Sequence, residues 1–150
     1  RTVTVRPGVF PGGRVYFCEH HTPDLVWRPE WQSHGNGIQA IPEFVIASND
    51  HAGEAETFAK LLHSDVSGSG DSLSVAITDA QITVMTPAAY AERYGALASP
   101  MAGRSSIFGA LVFRTDSLDK IRAAASNTID EAKRVVVRVS DFDAVLEFVE

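Results

Sequence analysis

The sequence is poor in the residues that several classes of protein depend on. Its 150 residues include a single cysteine, Cys18, so no intramolecular disulfide can form and a reducing cytoplasm is the expected compartment. Three lysines, a net charge of −6 and the lack of any basic run argue against a nucleic-acid partner. No apolar stretch approaches about 18 residues, so no membrane-spanning helix is predicted.

Self-contained catalytic motifs are missing as well. The chain has no CxxC pair, no HExxH and no Ser, His and Asp in the order of a known triad. The glycine-containing stretch 67–70 precedes a strand pattern rather than a helix, so it does not predict a phosphate loop. Any function must therefore rest on the fold and on residues that are distant in sequence.

The densest group of polar and aromatic residues lies between Cys18 and Trp31. Glu19 and His21 fall on the same face of a predicted strand, which suggests metal ligands; the alternative is a polar strand end that hydrogen-bonds the following helix. Cys18 is expected to be a small buried apolar residue rather than a nucleophile. Trp27 and Trp31 suggest either a ligand-stacking surface or packing at an interface.

A pattern of strand followed by helix occurs twice, at an offset of 66 residues. Residues 43–50 and 109–116 each place an apolar strand before a residue that is predicted to cap a helix, Asn49 or Asp50 in the first copy and Asp116 in the second. In the first copy, alternating residues then predict further strands, and Thr86-Pro87 predicts another short helix. Linkers at 33–37 and 95–105 separate the copies, which predicts modules at 38–95 and 105–150.

These patterns predict an α+β fold. Two tandem βαβββ modules would form a curved, partly closed mixed sheet with helices outside. Alternation along the first strand of each module predicts which residues face the cup inside this sheet. The residues predicted to face the cup are Glu43, Val45 and Ala47 from the first module, and Gly109, Leu111 and Phe113 from the second.

The run Val15–Gln32, VYFCEHHTPDLVWRPEWQ, looks like a segment of bacterial glyoxalase-like domain proteins. They belong to the vicinal oxygen chelate superfamily, with glyoxalase I, extradiol dioxygenases and bleomycin-resistance proteins. The resemblance implies that residues 38–150 are one module pair and that residues 1–37 are a strand and linker from the end of a preceding module. That strand is expected to pair with an edge of the sheet or with a second copy, so a homodimer is expected.

The resemblance also implies where a metal would bind. Metal sites of this superfamily take one ligand from the first strand and one from the last strand of each module, which here are Glu43, Thr83, Gly109 and Glu147. Glycine has no ligating side chain and threonine is a weak ligand, which leaves Glu43 and Glu147 for a divalent Zn, Ni, Fe or Mn ion. The alternative is that each glutamate pairs with an arginine, such as Arg114 or Arg138, or reaches water at the mouth of the cup.

Three functions follow from these expectations. The first is a metal-assisted lyase, isomerase or dioxygenase acting on a small molecule. The second is a metal-free cup for an apolar small-molecule ligand, lined by Val45, Met85, Leu111 and Phe113. The third is a degenerate half of a larger glyoxalase-like protein, which serves structure or dimerisation. The sequence identifies no substrate.

Overall fold

The computed structural model describes all 150 residues as an α+β protein with ten strands and four α-helices. The strands are β1 Thr2–Thr4, β2 Tyr16–Cys18, β3 Ile38–Ser48, β4 Val66–Ser69, β5 Ser72–Ala76, β6 Gln81–Met85, β7 Ser106–Thr115, β8 Thr128–Glu131, β9 Arg134–Val139 and β10 Ala144–Val149. The helices are α1 Pro23–Val26, α2 His51–Leu62, α3 Pro87–Tyr94 and α4 Leu118–Ala124, and short 3₁₀ turns lie at Pro29–Trp31, Gly95–Leu97 and Ser140–Phe142.

Eight strands form one open mixed sheet in the order β4-β5-β6-β3-β7-β10-β9-β8. Each half of this sheet has the order strand, helix and three strands, so the predicted fold class of two βαβββ modules is confirmed. The two modules meet where β3 and β7 pair antiparallel, while each module's first strand pairs parallel with its last. The first and last strands of both modules therefore lie side by side in the middle of the sheet.

Local signals at the helix ends explain where two helices begin. The Asp50 side chain accepts a hydrogen bond from Gly53 N, and Thr86 accepts one from Ala89 N, as the capping patterns predicted. The prediction for Asp116 was wrong. Ser117 occupies the N-cap position of α4 without a side-chain cap bond, and both Asp116 carboxylate oxygens accept from Lys120.

The sheet is covered by helices on both faces. On one face, which we call the α3 face, the α3 residues Tyr90 and Tyr94 pack with Leu97 against buried strand residues that include Val45 and Met85. The opposite face, the α2/α4 face, holds separate clusters under α2 and α4. The longest helix, α2, has 12 residues, and none of the helices has the length and apolar character needed to cross a membrane.

Leu111 and Phe113 do not face the same side as Val45, so this part of the predicted cup was wrong. Val45 pairs with Ala110 and Ile46 with Phe108, which leaves Gly109 as an extra, unpaired residue in β7. This register places Ala110 and Val112 on the α3 face and Leu111 and Phe113 on the other, because neighbouring residues of a strand point to opposite faces.

Residues 1–18, which we call the N-terminal arm, form a hairpin of β1 and β2 outside the large sheet. The predicted pairing of this strand with an edge of the large sheet is not seen, because β2 takes β1 as its partner. Phe10 anchors the arm to the α2/α4 face, where it is buried and stacks on Phe58 with ring centroids 4.1 Å apart. The arm therefore lies over one face of the sheet.

Candidate functional site

Four central strands place a row of side chains on the α3 face, and we call this row the carboxylate row. Glu43 pairs with Gln81 on one side and with Val112 on the other, and Val112 in turn pairs with Glu147. The row therefore reads Gln81, Glu43, Val112 and Glu147 across β6, β3, β7 and β10. The two predicted ligands Glu43 and Glu147 therefore lie on the same face of the sheet, with the single strand β7 and its residue Val112 between them.

Arg93 of α3 lies between the two glutamates and binds both. Its Nη1 and Nη2 donate to Glu43 Oε1 and Oε2 at 2.9 and 2.8 Å, a bidentate arrangement. Its Nε and Nη2 donate to Glu147 Oε2 at 3.1 and 2.8 Å. A single guanidinium thus joins the first strand of one module to the last strand of the other, and we call this group the arginine clamp.

Two more side chains complete the environment of Glu147, which is only 4% exposed. The Tyr94 hydroxyl donates to Glu147 Oε2 at 2.9 Å, and Arg134 Nη1 lies 3.6 Å from Oε1. The Glu147 carboxylate therefore has two arginines and one hydroxyl as partners, and Arg134 also pairs with the exposed Glu131. Charged partners and hydrogen bonds are what a buried carboxylate requires.

The shifts in pKa follow from burial and from these partners. Burial by itself raises the pKa of Glu43, but hydrogen bonds from Arg93 and from Thr83 outweigh it, so the pKa lies below its ordinary value of 4.5. For Arg93, burial lowers the pKa, and its bonds to Glu43 more than reverse that effect. Burial raises the pKa of the Tyr94 phenol, so this hydroxyl stays a donor to Glu147 at neutral pH.

The donor set at the carboxylate row does not fit a divalent metal ion. Both oxygens of Glu43 and one oxygen of Glu147 already accept bonds from Arg93, whose positive charge lies between the carboxylates. In β7 the residue beside both glutamates is Val112, rather than Gly109, and it has no ligating atom. Nowhere in the chain do three or more His, Cys, Asp or Glu side chains converge as a metal site.

The other side chains singled out from the sequence lie at the surface. Glu19 and His21 are close together, with Oε2 and Nε2 3.7 Å apart, and both are exposed. Cys18 is exposed and lies 3.6 Å from the Thr2 hydroxyl, so the expectation of a buried cysteine was wrong; the hairpin it belongs to stands outside the sheet. The Trp27 and Trp31 side chains are exposed, too.

On the α2/α4 face, the same four strands carry a second row, which we call the apolar row. Phe44 pairs with Ile82 and with Leu111, and Leu111 pairs with Leu146. The N-terminal arm and α2 border an open cavity of about 610 Å³ over this row. Seventeen of its 19 lining residues are hydrophobic, and they include Val45 and Leu111 of the predicted cup but neither Met85 nor Phe113.

Sequence reasoning missed Arg93, although a signal for it was present. Tyr90, Arg93 and Tyr94 have the spacing i, i+3, i+4, which places them on one side of a helix. An arginine on the aromatic side of a helix needs a partner of opposite charge when that side is buried. The two glutamates identified from the strands were the available partners.

Comparison with known proteins defines the fold and nothing finer. The sequence matches no protein-family model and no curated protein. Among solved structures, the chain is similar to methylmalonyl-CoA epimerase from Mycobacterium tuberculosis, with 15% identity and a TM-score of 0.56 over 80% of this chain and 93% of that one. That epimerase is a member of the vicinal oxygen chelate family. The chain shares the overall fold of that epimerase.

A second similar structure is that of a hypothetical protein from Staphylococcus aureus. It shares 8% identity with this chain at a TM-score of 0.46, over 73% of this chain and 32% of that one. The chain thus spans about a third of the length of that protein.

Proposed function

We propose that this chain is a glyoxalase-like module that binds an apolar small molecule without a metal, in the cavity between the apolar row and the N-terminal arm. In this proposal residues 38–150 act as the module pair and residues 1–37 as an arm and linker that close over its sheet. The observation that carries the proposal is the 610 Å³ cavity with its hydrophobic lining. Ligand sites of proteins are typically concave, mostly apolar and about 300–1,000 Å³ in volume.

The state of the α3 face supports a binding function that needs no metal. A metal-assisted lyase, isomerase or dioxygenase would need Glu43 and Glu147 free to coordinate an ion. Here the arginine clamp engages both, and buried Tyr90 and Tyr94 fill the space beside them. A substrate would have to compete with Arg93 for Glu43, which is only partly exposed, and Glu147 is buried.

The α2/α4 face, in contrast, exposes large apolar side chains in the middle of the sheet. Phe44 is 38% exposed and Phe108 is 47% exposed, and both line the cavity. Covering such surface stabilises a complex by about 25 cal/mol for each Å² of apolar area removed from water. An apolar ligand that fills the cavity would gain this stabilisation without a rearrangement of the core.

The experiment that tests this proposal is a titration with Nile red, an uncharged probe that becomes fluorescent in apolar surroundings. We expect saturable binding that Leu111→Glu weakens by about tenfold or more, because it places a charge in the cavity wall. The matched control is Leu25→Glu, a change at an exposed leucine outside the cavity, which should bind as the unmodified chain does. No saturable binding, or equal binding by both variants, would refute the proposal.

The exposed phenylalanines also favour a second candidate, a structural half that dimerises through the α2/α4 face. Two copies that cover Phe44 and Phe108 would remove the same apolar surface from water. Sedimentation velocity over a range of protein concentrations distinguishes the two functions. A dimer that Leu111→Glu dissociates, together with loss of probe binding as the dimer forms, would favour the structural half.

A further inference from the structure

Arg14 is the only charged side chain in the wall of the cavity. The lining residues besides Arg14 are hydrophobic, apart from Gly109, and no carboxylate lies among them. Arg14 is an exposed residue that also lines the cavity, so it lies where the cavity meets solvent. A cavity with an apolar wall and one cation at its opening is complementary to a molecule with an apolar body and one negative charge.

The charge of Arg14 is not used within the chain. Six of the ten arginines pair with a carboxylate, and Arg14 is not among them. Arg1, Arg6 and Arg114 are also without a side-chain ion pair, but none of them lines the cavity. Because the chain carries a net charge of −6, an anion would be repelled by most of its surface. The cavity lining beside Arg14 contains no carboxylate, so this repulsion is weaker there.

The shape of the apolar row indicates an elongated ligand. Ile82, Phe44, Leu111 and Leu146 are register neighbours on four adjacent strands. Neighbouring strands are about 4.8 Å apart, so the row extends for about 14 Å across the sheet. Phe58, Leu61 and Leu62 of α2 and Tyr16 and Phe17 of the arm complete the wall. An extended alkyl chain follows such a row better than a compact ring does.

We propose that the ligand of this cavity is an amphipathic anion, an acyl or alkyl chain with a carboxylate or phosphate head, and that Arg14 binds the head. This inference rests on the proposed function, because it names the class of ligand for the same cavity. The alkyl chain supplies most of the affinity, at about 0.8 kcal/mol for each CH₂ removed from water. The ion pair at the partly solvated opening supplies discrimination between charged and uncharged heads.

The test compares dodecanoate, dodecyl phosphate and dodecanol as competitors of Nile red, each below its micelle concentration, at pH 7 and low salt. We expect at least one anion to bind about tenfold tighter than dodecanol, and which anion it is separates a carboxylate from a phosphate ligand. The preference should shrink as salt is added, since the pair is reached by solvent. The preference is the ratio of the anion and dodecanol affinities measured in the same variant, and Arg14→Gln should abolish it whatever its effect on Nile red binding.

The matched control is Arg6→Gln, which removes an unpaired arginine from the same arm but outside the cavity. This variant should keep the full preference for the anion. If Nile red binds and dodecanol competes as well as both anions, the inference is wrong while the proposed function stands. If both arginine variants lose the preference equally, the effect belongs to the overall charge of the arm, and the assignment to Arg14 is wrong. If Nile red does not bind, both proposals are wrong.

Discussion

The two faces of the central sheet carry opposite chemistry on the same four strands. On the α3 face, Glu43 and Glu147 are fixed by Arg93 under a packed helix. On the α2/α4 face, the adjacent residues Phe44 and Leu146 lie beside an apolar cavity. Residues that are neighbours along each strand thus belong to a buried ionic cluster on one face and to an open hydrophobic surface on the other.

The difference between the two faces follows from the elements that cover them, because these elements determine whether a face is packed or leaves a cavity. α3 fills its face with Tyr90 and Tyr94, so polar groups there must find partners within the protein. α2 and α4 form separate clusters on the other face, and the N-terminal arm packs with the α2 cluster and lines the cavity beside it. In this chain, packing therefore closes one face of the sheet, whereas the opposite face keeps an apolar cavity.

The largest expected effect comes from removing the arginine clamp. Arg93→Met leaves Glu43 and Glu147 without their shared cation, and Glu147 is nearly inaccessible to water. Breaking a buried ion pair in this way costs about 3–5 kcal/mol of unfolding free energy. Urea unfolding followed by circular dichroism measures the loss. Lys60→Met, which removes an exposed ion pair with Glu56, is the control and should cost less than about 1 kcal/mol.

A triple variant sharpens this result. Adding Glu43→Gln and Glu147→Gln to Arg93→Met removes the unpaired charges, so a large part of the lost stability should return. Equal stability of Arg93→Met and the unmodified chain would mean that the clamp is open in solution, and that the α3 face is as accessible as the other.

The second effect concerns the contact between β7 and α3. A Cβ on Gly109 would lie 2.6 Å from Tyr90 Cε2, and the Tyr90 hydroxyl also donates to Gly109 O at 2.8 Å. Gly109→Ala therefore forces the ring away, at a cost of about 1–3 kcal/mol. Thermal and urea unfolding measure this loss. Gly35→Ala, at a glycine with open space around it, is the control and should be nearly neutral.

The bulge at Gly109 also marks the limit of what the sequence could predict. The repeated strand and helix patterns were sufficient for the two βαβββ modules, because hydrophobic period and caps such as Asp50 are local properties. The face of the sheet to which Leu111 and Phe113 point is not a local property of the sequence. It depends on the pairing of β7 with β3, and one unpaired residue reverses the face of every residue beyond it.

In the candidate site, too, some features could be predicted from the sequence and others depended on tertiary packing. The resemblance to the superfamily pointed to Glu43 and Glu147 as neighbouring positions, and in the structure both carboxylates bind Arg93. The partner of these glutamates comes from α3, a helix that follows the first module and packs across both. Nothing in the strand pattern places that helix, so Arg93 and the closed state of this face could not be predicted from the strands.

The third expected effect is on the pH dependence of stability. The pKa of Glu43 is lowered in the folded protein because the bonds from Arg93 outweigh burial, so its ionised form stabilises the fold. That contribution is complete above its ordinary pKa of 4.5 and is lost as the pH falls through the lower, folded value. The difference in unfolding free energy between the unmodified chain and Glu43→Gln should therefore shrink between pH 7 and pH 3. A constant difference would contradict the assigned role.

The smallest effect is expected on the open face. Phe108→Ser removes a large apolar side chain that is half exposed, so the loss of unfolding free energy should stay below about 1 kcal/mol. Phe58→Ser, at a buried phenylalanine of the same face, is the matched control and should cost about 3–5 kcal/mol. Urea unfolding of both variants measures the contrast. If Phe108→Ser costs as much as Phe58→Ser, the middle of the α2/α4 face is packed core in solution, and the contrast between the two faces disappears.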